Sequence, residues 1–237
     1  MIRAVAAAVL TAAVSTGSSP QVTVFAASSL TDVLPMIDRH QRYSFAGSNT
    51  LAAQIQQGAP ADVFASANMA LPQQLYDRKL CSKPVVFTRN KLVLIVPARN
   101  PARLHAVSDL ARKGVKIVIA QPGVPVGSYT VHVLQALHLY DRVMTNVVSK
   151  ENDVRGVLAK IVLDEADAGF VYSTDAKAVA GDVKKIALPK KAEAGIQYGI
   201  CVVSTSSHPV AARAFVKKVL SKKGQAKLRA SGFLPRK

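Results

Sequence analysis

Residues 22–37 read Val-Thr-Val-Phe-Ala-Ala-Ser-Ser-Leu-Thr-Asp-Val-Leu-Pro-Met-Ile. Val22 to Ala27 is a short, nearly unbroken apolar run, as a strand buried on both faces should be. Leu30, Val33, Leu34 and Ile37 then recur at i, i+3, i+4 and i+7, which is one face of a helix. Small hydroxyl residues, Ser28 and Ser29, stand where that helix begins. Pro35 removes one backbone donor from the pattern and predicts a kink or a late start. A buried strand, a hydroxyl-bearing turn and a helix form the unit from which parallel α/β sheets are built.

The same unit repeats along the chain. Strands are expected at Tyr43–Ala46, Ala61–Ala65, Leu92–Val96, Val115–Ala120, Gly169–Tyr172, Val183–Leu188 and Ile200–Val203. Between them fall a helical stripe at Leu51 and Ile55 closed by Gly58, a helix over Ala70–Arg78 and a short one capped at Ser108-Asp109. Further helices are expected over Tyr129–Leu137 and on the face Val154, Val157, Leu158 and Ile161, started by Asn152 or Asp153. The chain from about Val210 onward reads as helical and basic. Two such runs fit two lobes, each a mostly parallel sheet flanked by helices. No Gly/Ser-rich or Pro-rich linker separates them.

Composition narrows the function. The chain has 237 residues and is 49% hydrophobic, which excludes a disordered protein. Lys and Arg exceed Asp and Glu by 31 to 14, a formal charge of +17. Such an excess suits nucleic acid, an anionic membrane surface or an anionic ligand. Aromatics are only 5% and Trp is absent, which argues against a base-stacking surface, so no nucleic-acid partner is expected. The basic cluster Lys217-Lys218, Lys222-Lys223, Lys227 and Arg229 reads as a solvated helix face.

Met1-Ile2-Arg3, the apolar stretch Ala4–Val14 and the small residues Ser15–Ser19 have the layout of a secretory signal peptide over residues 1–21, cut near Ser15 or Gly17. The apolar stretch is too short to span a bilayer. A protein outside the cytoplasm, in the periplasm, is expected; with no Cys beside the cut, a lipid anchor has no support. Cys81 and Cys201 either pair in that oxidising space or stay apart as buried thiols; the sequence leaves both open.

Enzyme motifs are missing. The chain holds no G-x-S-x-G, no phosphate-binding G-x-x-x-x-G-K-S/T, no G-x-G-x-x-G, no H-E-x-x-H and no C-x-x-C. His132 and His138, six apart, do not share a helix face. What the chain does repeat is the helix start that follows a strand: Ala27-Ser28-Ser29, Gly47-Ser48-Asn49, Val126-Gly127-Ser128 and Asn152-Asp153-Val154. Helix N-termini expose unpaired N–H groups and partial positive charge, and in parallel sheets they gather at the carboxyl ends of the strands. Most such starts bind nothing, yet several converging ones suit an anion.

Taken in order, these segments resemble the periplasmic molybdate-binding proteins of ABC transporters. The matching stretches are Val24–Leu30, Phe45–Ala52, Gly58–Ala67, Asn90–Pro97, Val124–Tyr129, Asp153–Gly156 and Gly169–Ala176, whose order and spacing cover nearly the whole mature chain. The resemblance implies a two-lobe periplasmic-binding-protein fold with the ligand cleft between lobes. One lobe comprises residues 22–94 plus 199–237, the other 95–198, and the chain crosses between them twice. It implies molybdate or tungstate as ligand and no cofactor. Ser29 and Ser48 are then donors from the first lobe, Val126 and Val154 backbone donors from the second, and Tyr172 a phenolic donor. Asp153 is expected to turn its carboxylate away from the anion, toward Arg155. The implied partner is the membrane permease of an ABC transporter, and the implied state a monomer without enzymatic activity.

The rivals are the same fold with sulfate or phosphate, where Asp153 is the carboxylate to check, and a secreted hydrolase using Ser28 or Ser29 with a histidine in reach. A cytoplasmic ligand sensor needs a DNA-binding segment that has no room before Val22.

Overall fold

The computed structural model describes residues 20–237; the expected leader, apart from its last two residues, lies outside them. Ten strands make two five-stranded sheets. The chain first lays down β1 (Thr23–Ala27), β2 (Arg42–Ala46), β3 (Val63–Ser66) and β4 (Val85–Asn90). It then passes through Lys91 into β5 (Leu92–Pro97), followed by β6 (Ile117–Ala120), β7 (Val147–Glu151), β8 (Ala168–Tyr172) and β9 (Val183–Ile186). Finally β10 (Ile196–Val202) returns to the first sheet. The orders are β2-β1-β3-β10-β4 and β7-β6-β8-β5-β9, the same pattern twice.

Helices cover the sheets: α1 (Leu34–Ile37), α2 (Ser48–Gln56), α3 (Ala70–Asp77), α4 (Pro125–Ala136), α5 (Tyr140–Met144), α6 (Val154–Val162), α7 (Ser173–Ala178), α8 (Pro209–Leu220) and α9 (Lys222–Ala230). Their buried faces are those the sequence spacing gives. Leu51, Ala52 and Ile55 are buried on α2, and Val154, Val157, Leu158 and Ile161 on α6.

The sheets keep the mostly parallel plan, with four of five strands in each running one way, while the lobe bounds need correction. Strands β1, β2 and β3 pair in parallel, as do β6, β7 and β8, and only β10 and β5 run antiparallel to their neighbours. Parallel neighbours need a crossover on the same sheet, and β5 and β10 enter from the other sheet instead. Boundaries at 94/95 and 198/199 accordingly fall inside β5 and β10, each of which belongs wholly to one sheet. The first helix starts late, as Pro35 predicts. Ser28–Leu30 forms one 3₁₀ turn, and α1 restarts at Leu34 with Pro35 in its first turn, where the missing N–H costs nothing. Leu30, Val33, Leu34 and Ile37 are all buried nonetheless.

Candidate functional site

The turns that follow β1, β2 and β3 meet those that follow β6, β7 and β8. Ser29 sits in the 3₁₀ turn that β1 runs into. Ser48 is the first residue of α2, and Val126 lies in the first turn of α4, which begins four residues earlier than the apolar pattern shows. Val154 opens α6, and Tyr172 ends β8. All five line one cavity, and none exposes more than 4% of its surface. Ala27, Ala46, Gly47 and Ala67 complete the wall on one side, Val124, Pro125 and Asp153 on the other. The cavity leaves about 10 Å³ for the centre of a water-sized sphere, which suits a compact ion rather than an organic molecule.

Close backbone approach fixes this geometry at two glycines. A Cβ on Gly127 meets the carbonyl of Gln121 at 2.3 Å, so only glycine lets α4 start tight against the end of β6. A Cβ on Gly47 meets the carbonyl of Asn152 at 2.4 Å, a contact from the first sheet's side to the second's.

The hydroxyls are aimed by their partners. Ser48 Oγ accepts from Ala67 N at 3.1 Å, which leaves its own proton to give. The Asn90 amide donates to the Tyr198 oxygen at 3.4 Å, and Tyr198 and Ser29 hydroxyls lie 2.9 Å apart. Because the amide N–H₂ only donates, the Tyr198 proton is directed to Ser29 Oγ, and the Ser29 proton is free for the cavity. Tyr172 is fully buried, and its hydroxyl has no hydrogen-bond partner. Burial raises the pKa of Tyr172 and of Tyr198 well above the usual phenol value, so both stay protonated donors. A buried unpaired donor is costly, and an acceptor in the cavity removes that cost.

Among the described residues no Lys, Arg or His lines the cavity. Asp153 does, but its Oδ1 accepts from the backbone N–H groups of Arg155 at 2.7 Å and Gly156 at 3.1 Å, capping α6. The carboxylate is thus turned onto its own helix, as expected, but it meets the backbone of Arg155 rather than the guanidinium. That guanidinium pairs instead with Asp32 across the two halves and lies 3.7 Å from Asp175. The N–H of Val154, ahead of the capped pair, has no helical partner. The set can therefore hold an anion by neutral donors. Among the described residues no group of His, Cys, Asp and Glu is placed to hold a metal ion.

Comparison with known proteins fits this geometry. Residues 38–234 match the sequence profile of the bacterial extracellular solute-binding proteins. The chain belongs to that family. This solute-binding protein is 36% identical over 228 residues to the molybdate-binding protein ModA of Mycobacterium tuberculosis, covering 92% of this chain and 86% of the relative. Among solved structures, the substrate-binding domain of a putative molybdenum ABC transporter from Clostridium difficile is 30% identical with a TM-score of 0.66, covering 91% of this chain and 98% of its own. The periplasmic molybdate-binding protein of Azotobacter vinelandii shares the fold at a TM-score of 0.81 and 22% identity, over 90% and 99% of the two chains. The family is not enzymatic, so the hydrolase reading falls.

Sequence reasoning placed the five residues that meet here but missed Tyr198 and Asn90, which touch Ser29 only across 169 residues of chain and then through each other. The cysteines also gain a position: Cys81 and Cys201 are both buried free thiols in one small apolar cluster, and Cys81 Sγ donates to the Pro72 carbonyl at 3.5 Å.

Proposed function

We propose that this solute-binding protein captures molybdate, and tungstate as its near-equal in shape and charge, and hands it to the membrane permease of an ABC transporter. The observation that carries the reading is the buried Tyr172 hydroxyl without a partner, set beside two seryl protons and two helix N-termini in a cavity free of cationic side chains. Ser29, Ser48 and Tyr172 donate from side chains, Val126 and Val154 from the backbone. Val is as good as any residue at the last two positions because only the N–H is needed. Hydrogen bonds to a charged acceptor contribute about 1.5–3 kcal/mol each, and five of them offset the loss of water around a dianion. Size then separates molybdate and tungstate from sulfate, whose bonds are shorter. Phosphate that keeps a proton needs an acceptor, and Asp153 has one oxygen committed to its helix.

The names of the relatives support the ligand. In this reading the lobes are the two sheets with their helices, divided where the chain crosses into β5 and into β10; the cleft closes by a hinge at those two crossings, and the mature monomer works in the periplasm. The test is calorimetric titration of ligand-stripped protein with molybdate, tungstate, sulfate and phosphate, repeated with Tyr172→Phe. One-to-one binding of the first two, silence with the others and a loss of about 10–150-fold in the variant are expected. No response to either metal oxyanion overturns the reading.

A further inference from the structure

The anion site uses none of the basic charge, and that charge is not spread evenly. From Ala194 to the C-terminus the sequence holds nine Lys or Arg and no Asp or Glu. All nine are exposed. The reason is the packing of α8 and α9: Ala212, Phe215 and Val219 of the first and Gly224 and Leu228 of the second face the core, which turns the lysines outward. One cation from each helix reaches the rim at the end of α1. Lys218 Nζ reaches Asp38 at 2.8 Å, and Lys227 Nζ reaches the carbonyl of Met36, two residues away. Asp38 is the one carboxylate in these contacts, and it is buried.

Two large apolar side chains lie exposed at the same rim. Met36 is 53% exposed beside Lys227, and Val210, which shares a groove with Asp38 and Lys218, is 74% exposed. Cations that surround exposed apolar side chains fit a surface with phosphates above an apolar boundary. Six of the nine cations are lysines, compact point charges that ask for no fixed ligand geometry, whereas recognition of carboxylates on a protein partner favours the arginine fork. None of the cavity-lining residues belongs to α8 or α9, so the face and the cleft are separate.

We propose that the face made by α8, α9 and the end of α1 docks this protein on an anionic bilayer surface, with the lysines on lipid phosphates and Met36 and Val210 at the acyl boundary. The docking holds whichever solute fills the cleft.

The test is sedimentation of the processed protein with vesicles of phosphatidylcholine alone and of phosphatidylcholine with phosphatidylglycerol. Binding to the anionic vesicles only, released as salt rises toward about 0.5 M, is expected. A quadruple variant, Lys217→Glu, Lys222→Glu, Lys223→Glu and Arg229→Glu, spares Lys218 and Lys227 and their contacts. At about fivefold in partitioning per cation, it should bind at least about 100-fold more weakly, with its circular dichroism and its anion titration unchanged. Met36→Ser with Val210→Ser should weaken binding with the salt slope unchanged. The proposal is overturned if the protein stays in solution with anionic vesicles at low salt, or if the quadruple variant pellets as well as the parent. Capture by polyaspartate without capture by vesicles also overturns it, in favour of an acidic protein partner. Unchanged binding of the Met36/Val210 variant removes the apolar contact.

Discussion

Tyr198 does not line the cavity, yet its proton decides which way Ser29 points. Replacing it by Phe keeps the ring, which packs edge-on against Phe87, Tyr172 and Phe233 at 5.6–6.1 Å, and removes only the hydroxyl. Ser29 then loses its donor, and molybdate titration should show about tenfold weaker binding with little change in Tm. Tyr198→Phe combined with Ser29→Ala should cost much less than the sum of the two, because both act on one hydrogen bond to the anion. Asp175 gives a different kind of residue-scale outcome. It is buried, one carboxylate oxygen has no hydrogen-bond partner, and burial raises its pKa to about 7 against the opposing pull of Arg155. The native state therefore holds a proton that the unfolded chain gives up near pH 4, so this group's contribution to stability falls as pH rises from about 4 to about 7 and is level above. Asp38, Asp62 and Asp109 lie below the usual carboxylate range and act in the opposite sense, losing their contribution as pH falls. Thermal melts of the parent and Asp175→Asn across pH 4–8 separate the two: the parent's Tm relative to the variant should drop through that window and then stay flat. A flat difference throughout would show an ordinary carboxylate.

At the scale of the element, a helix start can be edited without touching the helix. Val154 is the first residue of α6, where proline is tolerated because that N–H makes no helical bond, and Asp153 before it is already extended, as a residue preceding proline must be. Val154→Pro should keep the fold and lower molybdate affinity by about 10–150-fold, whereas Val154→Ala, which keeps the N–H, should bind as the parent does. Titration of the pair isolates one backbone donor. The elements also show where sequence was legible. Central strands such as β5 and β8 are apolar on both faces, and α6 carries a full buried stripe behind a capping Asp, so pattern alone finds them. Strands β4 and β7 lie at sheet edges, open on apolar runs of only three and two residues and end in Arg-Asn and Lys-Glu, too short a pattern to mark a strand. The short α5 and α7 carry too few turns to set a period. Ser29 and Ser48 were legible because they follow strand ends in small, hydroxyl-rich turns, whereas Val126, Val154 and Tyr172 were reached only through the family resemblance. Asn90 and Tyr198 were not, because their role exists only once distant strands pair.

On the scale of the whole molecule, the two halves meet at a backbone contact, on which the proposed closure rests. Gly47 and the Asn152 carbonyl approach so closely that a methyl group at 47 leaves 2.4 Å, and Asn49 crowds it further at 2.8 Å. Gly47→Ala holds the halves apart without disturbing either sheet. Small-angle scattering should find the variant unchanged in size when molybdate is added, while the parent contracts, and its affinity should fall at least tenfold at nearly the same Tm. Contraction equal to the parent's would show that the contact is not what sets closure. The Arg155–Asp32 pair, which also crosses the halves, is partly open to water and adds little by itself.

The return of β10 to the first sheet has a consequence for the order in which the chain matures. The second sheet is complete once residue 186 is available, since all its strands run from 92 to 186 without interruption. The first is not, because β10 lies between β3 and β4 and is the last strand made. A chain emerging amino end first thus presents β3 and β4 with open edges while the later-synthesised half is already whole, and this is the interval when proteases and aggregation act on it. Tyr198, which aims Ser29, arrives on that same strand. The strand that seals the first half is also the one that brings Tyr198 to Ser29, so under the proposed function a chain that still lacks β10 lacks the group that aims one of its donors.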